Sequence, residues 1–156
     1  LYTDELSGLY NRRYLNSLLA EQTRTNRRSL YGIMMDINDF KQINDSFGHG
    51  TGDQAICKMG DILFRSIPEG GIAIRYAGDE FIVLLPGGNE ATALATAREI
   101  DRHLSRFNHS GEAPFTLTVS MGWAGFDPRE GKEAFLTAMD EKMYEKKRKY
   151  HKSQNT

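Results

Sequence analysis

The stretch Ile72 to Leu85, IAIRYAGDEFIVLL, leaves the chain few folds to choose from. Ile72, Ile74 and Tyr76 alternate with Ala73 and Arg75, and a second apolar run, Phe81 to Leu85, follows with no room for a helix between them. A tight β-hairpin is the economical outcome, with Gly78-Asp79 at its tip. Glycine first in a two-residue loop suits a turn that needs positive φ there, and the missing Cβ leaves the backbone open to a ligand. Asp79 and Glu80 put two carboxylates beside that opening. Alone, a Gly-Asp tip reads as a solvated turn. A second acidic strand end earlier in the chain changes its meaning.

That second end is Asp36. Leu30 to Ile37, LYGIMMDI, is an apolar run of strand length with little alternation, the pattern of a central strand covered on both faces. Burying an unpaired carboxylate is costly, so Asp36 sits at the open strand end or is matched by a cation, of which a metal is the sharper alternative. If the two strands are neighbours, Asp36, Asp79 and the Ile37 carbonyl supply the hard oxygens that Mg2+ prefers, with substrate phosphates completing the set.

The remaining chain frames these two ends. Asn11 caps a helix carrying Tyr14, Leu15, Leu18 and Leu19 on one face, which ends in the polar run Glu21 to Ser29. Phe40, Ile43 and Phe47 mark a helical turn, and Gly48, Gly50 and Gly52 predict a close-fitting loop of the kind that handles ligands. Asp53 is the expected cap of a helix to about Ile67, in which Gly60 points to close packing against a neighbour. Cys57, within that pattern, reads as a small buried hydrophobe. Ala91 to Phe107 is helical. Phe115 to Met121 alternates strictly and predicts a strand with Phe115, Leu117, Val119 and Met121 inward and Thr116, Thr118 and Ser120 on the other face. Gly122 to Gly131 reads as loop. Lys132 to Tyr150 is a final helix whose apolar side is Ala134 or Phe135, Ala138 or Met139, and Met143. It closes on Lys146-Lys147-Arg148-Lys149, cations suited to a helix C-terminus. This order gives an α+β domain around a largely antiparallel central sheet flanked by helices.

Composition sets the limits. A chain of 156 residues, 39% hydrophobic and 26% charged, fits a single domain over 1–156 with one real core. A net charge of −1 provides no global basic field for nucleic acid or an anionic membrane, so any phosphate must be gripped locally. One cysteine permits no internal disulfide and suits a reducing, cytoplasmic setting. No apolar run reaches the roughly 18 residues of a membrane span. The first residue is not Met, as expected of a domain cut from a longer protein whose sensor or membrane anchor lies elsewhere.

Three segments in register carry a resemblance. DELSGLYNRR, MDINDFKQINDSFGHGTGD and YAGDEF, with a closing MDEKMYEKK, resemble the GGDEF family of diguanylate cyclases over essentially the whole chain. The resemblance implies a fold similar to class III nucleotide cyclases and polymerase palms. It also implies condensation of two GTP molecules into cyclic di-GMP with release of pyrophosphate, across a homodimer in which each protomer holds one GTP, under an upstream sensory domain. Asp36, Asp79 and the Ile37 carbonyl correspond to ligands of two Mg2+ ions, for which Mn2+ can substitute, and Glu80 to the motif's second acidic position. Asp79 is also the family's candidate proton acceptor, and Lys41 matches a lysine that stabilises charge on the phosphates. Asn44 and Asp53 correspond to the guanine-reading pair, His49 to a neighbouring substrate contact, Gly78 to the glycine beside the phosphates and Lys147 to a phosphate-binding lysine. Taken singly, Asn44 and Asp53 are also good capping and turn residues, and Arg75 is equally suited to a structural ion pair.

Three departures stand out. Ala77 replaces the first glycine of the signature, which is tolerable if the position keeps ordinary φ. Asn38 replaces the second aspartate of the usual Asp-x-Asp. The product-inhibition motif Arg-x-x-Asp would fall on Pro68-Glu69-Gly70-Gly71, where it is absent. The alternative to a working cyclase is a catalytically silent GTP-binding domain of the same fold, and retention of the acidic and guanine-reading residues speaks against it. A cyclase joining adenine to guanine is a further alternative, against which Asp53 argues.

Overall fold

The computed structural model describes residues 1–155. Five helices, α1 (Arg12–Thr25), α2 (Phe40–Phe47), α3 (His49–Ser66), α4 (Glu90–Ser110) and α5 (Gly131–Gln154), surround four strands. The strands are β1 (Leu30–Ile37), β2 (Ile72–Ala77), β3 (Glu80–Pro86) and β4 (Val119–Gly125), in the order β2-β3-β1-β4, and every pairing between them is antiparallel. The expected α+β architecture is therefore present, and β1 lies inside the sheet between β3 and β4.

Both sheet faces are covered, which is why β1 is apolar without alternation. Ile33, Met35 and Ile37 join Phe81, Val83, Leu85 and Met121 in one cluster with Ile56, Met59 and Leu63 of α3 and Ile100 and Leu104 of α4. Leu30 and Met34 join Ile74, Ile82, Leu84 and Ala124 in the other, against Leu15 and Leu19 of α1 and Phe135, Met139 and Met143 of α5. Each fully buried aliphatic side chain contributes about 1.5–3 kcal/mol, so the two layers hold the strand ends firmly in register. The choice left open on the last helix resolves to Phe135, Met139 and Met143.

Several local expectations are corrected. Helix α3 begins at His49, because the reversal from α2 is made at Gly48 alone, at φ +89°. Gly50, Gly52 and Asp53 therefore lie within the helix, and Asp53 is not its cap. The fourth strand starts at Val119 and not at Phe115. Phe115 and Leu117 are buried, but the Asn108 side chain takes both backbone groups of Leu117: Nδ2 donates to its carbonyl and Oδ1 accepts from its N–H, each at 2.8 Å. Residues 122–125, expected as loop, continue β4, and Ser120 is buried, donating to Asn38 Oδ1 at 2.7 Å. Gly122 is where β4 meets α5, since a Cβ there would collide with the backbone at Met143 N and Met139 O. Gly60 does pack closely, against the Ser7 carbonyl. Cys57 is exposed, its Sγ 3.1 Å from the Leu6 carbonyl oxygen, because it falls on the outer side of α3. Among the described residues no helix is long and apolar enough to cross a membrane.

Candidate active site

The β1–β3 register sets Asp36 opposite Glu80, and the Ile37 N–H donates to the Asp79 carbonyl at 3.2 Å. The end of β1 and the hairpin tip are thus one place. From α5, Lys147 Nζ lies 2.6 Å from Asp36 Oδ1 and 3.4 Å from the Ile37 carbonyl oxygen. The Lys147–Asp36 contact is a close ion pair but not an aligned hydrogen bond, since the buried Asp36 Oδ1 has no hydrogen-bond partner among the described residues. Burial pushes the Asp36 carboxyl up, Lys147 opposes this, and the charges of Asp79 and Asp140 add to the rise. Glu80 is likewise raised, by burial first and then by Asp79, Asp36 and Asp140, with Arg12 opposing.

Two of these groups escaped the sequence reading. Asp140 lies seven residues before Lys147 on α5, two turns away on the same face, but nothing in the charged run around it separates it from Glu141. Arg12 opens α1 and stacks its guanidinium 4.0 Å from the centre of the Tyr76 ring, which places it beside the tip. The visible signal was its place in the DELSGLYNRR segment.

The tip itself is buttressed. Arg75 Nε donates to the Gly78 carbonyl at 3.0 Å, and Arg75 pairs with Asp4 at 3.3 Å. Burial would raise the Asp4 carboxyl, but two hydrogen bonds from Ser7 together with Arg75 hold it below its usual value. Arg75 thus has the structural ion pair that the sequence left open. Tyr76 is the extra residue of a bulge between Arg75 and Ala77, and Ala77 pairs with Glu80. Ala77 has no positive φ, so the methyl in place of the signature's first glycine is accommodated without strain. Gly78 does not have positive φ either, contrary to expectation, because the bulge absorbs the reversal. A Cβ on Gly78 would meet nothing within 4 Å, so glycine there matters to the protein only for the space it leaves.

A second group follows along the chain on α2 and α3. Lys41 extends into solvent, its side chain 90% exposed and 3.4 Å from Asp45. Asn44 lies over Gly52, where any Cβ would strike Asn44 Oδ1, and this buried oxygen has no hydrogen-bond partner among the described residues. His49 and Asp53 are exposed on the first turns of α3. Asn38 is buried and fully used, with Oδ1 accepting from Ser120 and Nδ2 donating to Thr118 Oγ1 at 3.0 Å. An amide meets both demands, and an ionised aspartate could not donate.

No cluster of three or more His, Cys, Asp or Glu is set to enclose a metal among the described residues. The available donors are Asp36, the Ile37 carbonyl, Asp79 and Glu80, and this fits Mg2+, which takes one or two carboxylates and fills its shell with phosphate and water. The poorly satisfied Asp36 oxygen and the excess of negative charge around it fit the same ion. A cavity of about 510 Å3 lies elsewhere, between α3 and α4, and includes none of these residues. Asp36, Asp79 and Glu80 are each half-buried at the strand end.

A family model described as diguanylate cyclase, GGDEF domain, matches residues 1–153. The chain belongs to the GGDEF family. This GGDEF domain is 30% identical over 151 residues to the diguanylate cyclase DosC of Escherichia coli, covering 94% of this chain and 33% of that protein. It is 34% identical over 154 residues to the response regulator PleD of Caulobacter vibrioides, covering 93% and 34%. It therefore spans about a third of the length of these relatives. Among solved structures, the GGDEF domain of DgcB from Caulobacter crescentus in complex with c-di-GMP superposes with a TM-score of 0.82 at 30% identity, covering 94% of this chain and 88% of that one. The diguanylate cyclase SiaD of Pseudomonas aeruginosa, solved with its activator SiaC, superposes with a TM-score of 0.84 at 27% identity, covering 94% and 58%. The palm-like α+β fold expected from the resemblance is the one the GGDEF domain adopts.

Proposed function

We propose that this domain is an active diguanylate cyclase that joins two GTP molecules into cyclic di-GMP and releases pyrophosphate, each protomer of a homodimer presenting one GTP. The observation that carries the reading is the meeting of Asp36 and Ile37 at the end of β1 with Asp79 and Glu80 of the hairpin, beside a glycine whose missing side chain leaves open space. Asp36, the Ile37 carbonyl, Asp79 and Glu80 would hold Mg2+, which would supply a lowered pKa for the attacking 3′-hydroxyl and charge to neutralise the triphosphate. Asp79 accepts the proton from that hydroxyl, Gly78 lets the phosphates lie against the backbone, and the exposed Lys41 meets charge building on them. Asn44 and Asp53 read guanine, with Asp53 accepting from N1–H and the exocyclic amine, donors that adenine does not present in that pattern. His49 adds a neighbouring contact to the nucleotide. Membership of a family of named cyclases and likeness to a domain solved with c-di-GMP support the reading.

Pyrophosphate release tests it. With Mg2+, GTP yields pyrophosphate and ATP does not, and Asp53→Ala lowers kcat/KM for GTP by roughly 100-fold. GTP that binds without any pyrophosphate release would identify a silent nucleotide-binding domain instead.

A further inference from the structure

Lys147 occupies the position that the cyclase reading gives to a metal. Its ammonium is 2.6 Å from Asp36 Oδ1 and 3.4 Å from the Ile37 carbonyl oxygen, the two β1 oxygens assigned above to Mg2+, and the Lys147 and Asp36 side chains are each only 16% exposed. We propose that Lys147 is the resident cation of the site, holding these two oxygens until a divalent ion displaces it, after which it moves to the substrate phosphates. The inference rests on the cyclase reading and adds to it an exchange of cations.

Three observations carry it. One ammonium and one metal ion cannot share the same pair of oxygens at contact distance, because their mutual repulsion in a half-buried site is severe. Metal entry is therefore an exchange and not an addition. Next, Lys147 serves Asp36 imperfectly, since the buried Oδ1 lacks an aligned hydrogen bond. Finally, the charges do not balance. Asp36 stands opposite Glu80 and beside the tip that carries Asp79, while Lys147 is the one cation in ion-pair contact with Asp36 among the described residues, so a divalent ion matches these carboxylates better than a single ammonium. A lysine suits the exchange because its charge is compact and its four-carbon stem is flexible.

The exchange couples metal to nucleotide. Without GTP, a metal must break the half-buried Lys147–Asp36 ion pair, and affinity falls. With GTP, the phosphates receive the lysine, and the loss is recovered. By linkage, the metal then strengthens GTP binding by the same factor.

The test is Mn2+ binding, followed by electron paramagnetic resonance on the whole domain, without nucleotide and with a GTP analogue that cannot be cleaved between the α- and β-phosphates. Asp36→Asn defines the part of the signal that belongs to this site. Lys147→Met should bind Mn2+ alone on the order of tenfold more tightly than the unaltered protein, and should gain less affinity when the analogue is added. Lys147→Arg, which keeps the charge and spares the fold should the Met variant fail, should bind Mn2+ alone no more tightly than the unaltered protein. If the Met variant binds Mn2+ alone no more tightly while all forms bind it with the analogue, the exchange is wrong and the cyclase reading stands. Tighter binding by Lys147→Arg also overturns the exchange. Absence of Mn2+ binding at this site in every form, analogue included, overturns both.

Discussion

Gly78→Ala separates the needs of the fold from the needs of the site at a single residue. A methyl there meets nothing in the protein and relieves no positive φ, so the melting temperature should move by no more than about 1 °C. In the proposed function it would lie where the phosphates approach, so GTP turnover should fall at least about 100-fold. Equal loss of stability and turnover would show that Gly78 is structural. Glu80 tests the electrostatics. Its folded pKa is raised above the ordinary 4.5, so protonation favours the folded state. That contribution is complete below the ordinary value and is lost as pH rises through the raised one. Glu80→Gln mimics the protonated form, so without divalent ions it should melt level with the unaltered protein near pH 4 and a few degrees higher at pH 7. A gain of equal size at both pH values would contradict the charge crowding. Asp36 and Asp79 were legible in the sequence because a carboxylate in or beside an apolar run needs an explanation. Asp140 was not, since it stands exposed among other charges on α5 and only the docking of that helix brings its charge to bear on Asp36.

At the scale of the elements, the joint between β4 and α5 is the most exacting. The atoms a Gly122 Cβ would strike are backbone, at Met143 N and Met139 O, and cannot rotate aside. Gly122→Ala should therefore cost about 3 kcal/mol in urea unfolding, and a loss under about 1 kcal/mol would mean that α5 can ride outward. Because α5 also carries Lys147 and Asp140, the same change should disturb the acidic site from a distance. The sequence showed β1 and the hairpin well, since burial on both faces and a two-residue loop leave direct traces in the residue pattern. It misplaced the start of β4 because strict alternation from Phe115 says which side chains go inward, not where the backbone hydrogen bonds go. Asn108, at the end of α4, claims both backbone groups of Leu117, a side-chain contact that alternation does not reveal. The early start of α3 was hidden for a related reason: three glycines in five residues look like a loop, although only Gly48 uses the freedom that glycine gives.

At the scale of the whole molecule, the proposed function makes each protomer a catalytic half-site that needs a second copy. The surface at Pro68-Glu69-Gly70-Gly71 lacks the arginine and aspartate of the product-inhibition motif, and Gly70 at φ +82° shapes it as a plain turn. Product should therefore not bind tightly there. A cyclic di-GMP inhibition constant in the low micromolar range, with product bound on this turn, would contradict that. The most direct measurement of the central claim is the rate of cyclic di-GMP formation from GTP and Mg2+ across a series of protein concentrations, with Asp79→Ala as control. The account predicts a rate per protomer that rises with protein concentration and is abolished in the control. Product formed at a constant rate per protomer down to the lowest concentration, or undiminished in Asp79→Ala, would contradict it.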